Sequence, residues 1–382
     1  MTACTAELAA RVALVTLPGL GPARAAWLLG ANTAVEVVDA LRSGRLPAAV
    51  GLAPFGVSSK LLRSWTKALG LVEPWRLVAD VDRYGATLLG PDDPQWPFAD
   101  DPDPPVVLFC RGRRGLLSSS PKVALVGTRR CTALGRQVAF QFGQELALAG
   151  VTIVSGLATG IDGAAHAGTL AVGGQALGVV GTGLDVVYPG ANRRLWGRVA
   201  DEGLLITEAM LGARPERWRF PARNRLMASL ADVVVVVESH DEGGSLLTAT
   251  EAADRGRPVM AVPGAITSSA SVGTNRLLVD GCSPACSSRD ILDLLSHQPQ
   301  PPSTVSSPGV PAHQPAPPAP PLATALSPLG RLIMAEVAAG ATHIDELIGA
   351  SRALVPELLA EVNRLEGLGL IRLDGSTVCR SG

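Results

Sequence analysis

Lysine is almost missing from this 382-residue chain: Lys60, Lys67 and Lys122 stand against thirty arginines. A phosphate-binding P-loop needs Gly-Lys-Ser/Thr, and the only lysine of the central region, Lys122, precedes its strand, so that reading fails. Cysteine is scarce as well. Cys4, Cys110, Cys131, Cys282, Cys286 and Cys379 are too few and too scattered for a disulfide scaffold. Cys282 and Cys286 form a lone C-x-x-x-C, which reads as small packed residues rather than metal ligands. Neither sign of charge is in excess: 33 basic and 34 acidic residues leave a net charge of −1. That excludes a polycation, and an anionic partner would have to be met by local clustering. No run of about 18 apolar residues exists, so no membrane span is expected. The start, MTACTAELAARVALVTLPGLG, has an acid before a short apolar run and no signal-peptide core, so a cytoplasmic location is expected. What is abundant is apolar material. With 47% hydrophobic and 18% charged residues the chain can build a large core, and its length suggests two to three domains.

The plainest boundary is a stretch without charge. From Leu294 to Gly330 there is no Asp, Glu, Lys or Arg, and prolines crowd QPQPPSTVSSPGVPAHQPAPPAPPL. Such a segment buries too little apolar surface to offset its ordering entropy, so residues 298–325 read as a disordered linker. After it, residues 326–382 give three helical patterns, LGRLIMAEVAAG, HIDELIGA and VPELLAEVNRLEGLG, and then LIRLDGSTVCR alternating around a turn at Asp374-Gly375. Three helices followed by a hairpin is the order of a winged helix. Its five arginines against seven acids point to interaction or regulation rather than duplex binding. Residues 1–75 read as helical. Their Leu17-Pro-Gly-Leu-Gly-Pro22 turn is similar to a helix-hairpin-helix (SAM-like) element, whose backbone N–H groups suit a phosphate; an ordinary tight turn fits equally well.

Between these parts, residues 76–297 alternate strand-length apolar runs with helical patterns. The runs are Val123–Gly127, Val151–Ser155, Ala176–Val180, Leu204–Thr207, Asp232–Glu238 and Pro258–Val262, with helices near 135–149, 162–173, 192–202, 223–230 and 245–255. Several runs are apolar throughout, as in a parallel sheet covered on both faces. The fold class is therefore α/β, a doubly wound Rossmann-like sheet, whose ligands bind at the carboxyl ends of the strands. Glycine-rich segments follow those ends: GTRRCTALG, SGLATGIDGAAH, GTGLDVVYPGANRR, ESHDEGGSLLTATEA and PGAITSSASVGTN. Glycines let a ligand approach the backbone, and helix N-termini favour anions. Arg214, Arg217, Arg219, Arg223 and Arg225 face the single acid Glu216, with Trp218 and Phe220 interleaved, a mixture suited to phosphates and stacked bases.

Nucleotide chemistry has little support. A dinucleotide fingerprint fails, because Gly127 is followed by Thr-Arg-Arg-Cys and the second strand ends in Ser155 rather than an acid. Asp162 and His166 read as a helix N-cap and a packed, hydrogen-bonded side chain. No cofactor or metal is expected, and the chemistry reads as binding without turnover.

In order, the pieces GTR, SGLATGIDGAAH, GTGLDVVYP with Asn192, FPARNR, GGSLLTA, GRPVMAVPG and GTNRLLVDG resemble the DNA-processing protein A (DprA/Smf) family, from Gly127 to Leu295. Thr128, Thr207 and Gly243 stand where the family usually has Ser. The resemblance implies an extended Rossmann-type homodimer that binds single-stranded DNA in a basic pocket, protects strands in natural transformation and loads the RecA recombinase. Carried over by position, Arg129 beside Gly127 and Thr128 is the first candidate for phosphate contact, then Arg193 or Arg194. Arg223 and Arg225, flanking Asn224, touch DNA or brace the sheet edge. The turns at Gly127, Gly156 and Gly244-Ser245 would supply backbone N–H groups. Leu277, Leu278 and Val279 are candidates for a dimer interface or for the core. Two rivals remain. One is a nucleotide phosphoribohydrolase-like enzyme with Glu251 as its acid, although GGSLLTATE breaks that signature. The other is a recombination scaffold that touches DNA only incidentally.

Overall fold

The computed structural model describes residues 5–47, 57–119 and 121–296, and in the C-terminal part 327–339, 342–343, 370–374, 377–380 and a few single helical positions. The chain divides into two compact units, Met1–Pro301 and Pro302–Gly382. The linker expected at 298–325 lies outside the described residues.

The first unit opens with five helices: α1 (Ala6–Leu14), α2 (Pro22–Leu29), α3 (Ala34–Arg42), α4 (Ser59–Gly70) and α5 (Pro74–Tyr84). Thr5, Thr33 and Ser58 cap α1, α3 and α4 by accepting the N–H of Leu8, Glu36 and Leu61. Leu14, Leu28, Leu41, Trp65 and Leu69 form their own core. Helix α1 has a second inward face, on which Ala9 and Val12 join Val78 and Val81 against Phe109, Leu205 and Trp196 of the sheet layer. That shared core makes the helical part and the sheet one unit. The Trp65 indole donates to the Pro18 carbonyl at 2.9 Å and pins the Leu17–Pro22 turn.

The sheet has nine strands: β1 (Thr87–Leu89), β2 (Leu108–Gly112), β3 (Lys122–Val126), β4 (Thr152–Ser155), β5 (Ala176–Val179), β6 (Leu204–Thr207), β7 (Val233–Val236), β8 (Val259–Ala261) and β9 (Ser283–Pro284). Their order is β1-β2-β6-β5-β4-β3-β7-β8-β9. Strands β3 to β9 pair in parallel, and β2 joins β6 antiparallel. The six expected strands are present: β6 with the expected bounds, β3 shifted one residue earlier so that Lys122 opens it rather than precedes it, and the other four shortened; β1, β2 and β9 are additional. The helices that follow are α6 (Ala133–Leu148), α7 (Ile161–Ala171), α8 (Arg193–Glu202), α9 (Arg219–Leu230), α10 (Gly244–Asp254), α11 (Val272–Val279) and α12 (Ser288–Ser296). Alternate strand residues enter different cores: Ala124, Val126, Val234 and Val236 pack under α9 and α10, and Val123, Leu125, Val233 and Val235 pack under α6 and α12. Two buried faces explain the unbroken apolar runs. Helix α9 starts at Arg219 rather than near residue 223, so half of the arginine-rich stretch is helical. Pro221 sits in its first turn, where a missing N–H costs nothing. Leu277 packs against the core, whereas Val279 is 86% exposed.

In the second unit, α13 (Pro328–Ala339) accompanies a sheet of β10 (Thr342–His343), β11 (Ile371–Asp374) and β12 (Thr377–Arg380) in the order β10-β12-β11. Ile333, Val337, Leu347, Leu358, Val362 and Val378 share a core. Asp374 pairs with Thr377, and Gly375, part of the turn expected at Asp374-Gly375, lies outside the described residues. Most of the second and third expected helices lies outside them too.

Candidate nucleic-acid interface

The chain runs outward from β3 through β4, β5 and β6, then returns to β7 on the other side of β3. The loops after β3 and β7 therefore part at a switch point, and a crevice opens at the carboxyl edge. It encloses about 400 Å³, and its lining includes Gly127, Arg129, Arg130, Phe220, Asn224 and Gly244.

Buried contacts that reach across the chain hold these loops. Thr128 donates its N–H to the Glu238 carbonyl (2.8 Å), and the Glu238 carboxylate accepts the N–H (2.8 Å) and hydroxyl (2.5 Å) of Thr132. A Cβ on Gly127 would meet Ile161 at 2.5 Å and the Glu238 carbonyl at 2.8 Å, so only glycine fits there. Gly160, at φ +82°, lies against the Thr128 carbonyl and locks the β4 loop to the β3 loop. Asn192 donates to the carbonyls of Leu157 (2.9 Å) and Ala158 (3.0 Å), which ties in the β5 loop.

Charge and ring surface stand on this frame. Arg129 and Arg130 are exposed, and neither has an ion-pair partner among the described residues. The Arg129 guanidinium lies 5.0 Å above the Phe220 ring, and Phe220 packs on Tyr188 at 5.4 Å. Gly243 opens α10 without a side-chain cap, which leaves first-turn N–H groups at this edge for an anion or water, whereas the first N–H of α7 goes to the Thr128 carbonyl (3.3 Å) and that of α8 to the Gly190 carbonyl. Not every lining group is basic, because Glu242 also borders the crevice.

The candidate residues divide. Gly127, Thr128, Arg129, Asn224, Gly244 and Ser245 come together around the crevice. Asn224 donates to the Gly244 carbonyl (3.2 Å) and Ser245 to Ser239 Oγ (2.9 Å), so both act on the β7 loop. Gly156 borders a smaller hollow with Arg129, Tyr188 and Phe220, and a Cβ there would collide with the Arg223 guanidinium. Arg193 and Arg194 are exposed at the start of α8 but line neither space.

Arg223 and Arg225 are not free cations. Arg223 is 5% exposed, donates to the Val179 carbonyl at 2.5 Å and faces buried Asp162; burial draws its pKa down to about 10. Arg225 is 3% exposed and bridges Asp103 (3.2 Å) and Glu208 (2.5 Å). Asp162 lies inside the first turn of α7 rather than at its cap. Burial raises its pKa, opposed by Arg223 and by the N–H groups of Ala158 and Gly156. His166 is fully buried beside the Ser155 backbone, with neither ring nitrogen in a hydrogen bond of good geometry, and burial brings its pKa down to about 4. Glu251 pairs with Arg255 at 2.5 Å and does not line the crevice. Among the described residues no group of three or more His, Cys, Asp or Glu converges as a metal site would require.

Sequence reasoning overlooked Glu238, which looked like the end of a strand, and Tyr188, whose pairing with Phe220 joins the loop after β5 to the start of α9. Trp218 was grouped with Phe220 but faces a neighbouring cavity instead.

A family model described as DNA recombination-mediator protein A matches residues 87–296. The chain is 37% identical to the DNA processing protein DprA of Bacillus subtilis over 58% of its own length and 75% of that protein. It is 31% identical to the Smf protein of Synechocystis over 83% and 85%. Among solved structures, DNA processing protein A of Streptococcus pneumoniae superposes with a TM-score of 0.62 at 31% identity, covering 75% of this chain and 97% of that one. DNA processing protein A of Helicobacter pylori, from a study of its single-stranded DNA binding mode, gives a TM-score of 0.50 at 31% identity over 55% and 95%.

Proposed function

The chain belongs to the DNA recombination-mediator protein A (DprA/Smf) family, and on that premise we propose that it binds single-stranded DNA in the crevice between the β3 and β7 loops. The observation that carries this reading is the convergence of exposed Arg129 and Arg130, neither ion-paired among the described residues, with the Phe220–Tyr188 pair and the uncapped N-terminus of α10. Arginine forks and N–H groups take phosphates, while ring faces take bases of any identity. A duplex hides its base faces, so a single strand is the preferred form. Arg223, Arg225 and Asn224 serve by holding loops, and Arg193 and Arg194 extend the basic edge.

The family relationship supports finer roles: protecting strands in natural transformation, loading the RecA recombinase, and acting as a homodimer, for which exposed Val279 is a contact candidate. The pairing of β10, β11 and β12 beside α13 supports a winged-helix module with a regulatory or protein-binding task. Binding proceeds without turnover, and the protein is not an enzyme on this reading. A titration of labelled oligonucleotides against the wild type and Arg129→Ala tests strand binding. Release of free base from a nucleoside monophosphate would favour the hydrolase instead.

A further inference from the structure

A second cavity, of about 470 Å³, lies on the same edge of the sheet, between the Leu17–Pro22 turn and the carboxyl ends of β5 and β6. Its partition from the crevice is the start of α9. Trp218 and Arg219 line the cavity, Phe220 and Pro221 line the crevice, and Arg223 lines both. A strand that passes over this partition enters the cavity.

The lining selects the part of a nucleotide that fits. Two carboxylates border the space. Glu208 is held by Arg225 at 2.5 Å, and Glu216 is held by the Trp218 indole N–H at 2.6 Å and by Arg219 at 3.4 Å. Arg219, Arg223 and Arg225 also border the space, but Arg219 and Arg225 are engaged by these two acids and Arg223 by the Val179 carbonyl, so it is the N–H groups of a base edge that would meet acceptors there. Pro18, Pro22, Pro104 and the 45% exposed Trp218 offer apolar surface to a ring. The volume lies within the range of small-molecule sites.

We propose that this cavity is a base-binding subsite, taking one nucleobase of the bound strand with its donor edge toward Glu208 and Glu216. The inference rests on the strand-binding reading above. It also gives the Leu17–Pro22 turn a task, as the wall that closes the subsite.

The test uses the full chain and an oligonucleotide of fixed length in which a single abasic site is moved position by position, with Kd read by fluorescence anisotropy. In the wild type one position should cost about fivefold or more, the low end of what base stacking supplies. Gly21→Phe fills the cavity without backbone strain, since Gly21 has φ −84° and nothing within 4 Å of an added Cβ. The variant should abolish that position's effect and leave the others. Trp218→Ala, at an exposed side chain, should weaken the same position. A flat abasic profile in the wild type, or an unchanged profile in both variants, overturns the subsite while the crevice reading stands. Loss of binding at every position in Arg129→Ala marks the crevice itself. A wild type that binds no single strand overturns both.

Discussion

Arg225 is 3% exposed between Asp103 and Glu208, while Arg129 stands in solvent over Phe220, so their substitution should produce opposite signatures. Arg225→Ala removes a buried side chain and strips the half-buried Glu208 and Asp103 carboxylates of their partner, and should cost about 2 kcal/mol or more of stability, read by urea denaturation. Arg129→Ala should leave stability within about 0.5 kcal/mol and weaken strand binding for all sequences alike. Unchanged stability in Arg225→Ala would mean the ion pair does not hold the sheet edge. His166 gives a prediction in pH. Its native pKa is lowered from 6.5 to about 4 by burial, so below pH 6.5 the unfolded chain takes up a proton that the native protein refuses. Stability is lost as pH falls from 6.5 toward 4, by a few kcal/mol at most. A His166→Leu variant should show a flatter melting curve against pH over that window than the wild type; parallel curves would refute the assignment.

At the scale of elements, the six inner strands were legible because burial on two faces leaves unbroken apolar runs. Strand β9, two exposed residues ending in proline, carries no such signal. The glycine turns of the crevice were legible as well, because steric need writes glycine into the sequence where loops touch. For Arg223 and Arg225 the sequence left DNA contact and bracing of the sheet edge open, and their burial decides for bracing. Their counter-charges, Asp162, Asp103 and Glu208, come from other parts of the chain, and only the fold brings them together. The same holds for Glu238 under Thr132. Gly160 is where two of these loops lock, so Gly160→Ala tests the coupling. A methyl at φ +82° would press on the Thr128 carbonyl and should lower stability by about 1–3 kcal/mol and strand affinity with it. Retained affinity in a destabilised variant would show that the β3 loop keeps its shape without the β4 loop.

For the whole molecule, the near-neutral net charge of −1 means that affinity must arise from a local group of arginines, not from a long-range field. The division at Pro301 predicts that limited proteolysis yields a stable fragment ending near Leu295 that still binds single strands, because the crevice lies wholly upstream. Loss of binding in that fragment would move the site to the C-terminal unit. The most direct test of the central claim is a titration of single-stranded and duplex oligonucleotides of equal length at several salt concentrations, with wild type and Arg129→Ala in parallel. With about four phosphates neutralised, the single-strand log–log slope should be roughly −3, Arg129→Ala should reduce it by up to about one, and the duplex should bind markedly more weakly. Duplex binding as tight as single-strand binding, with Arg129→Ala silent, would contradict the assignment of the crevice.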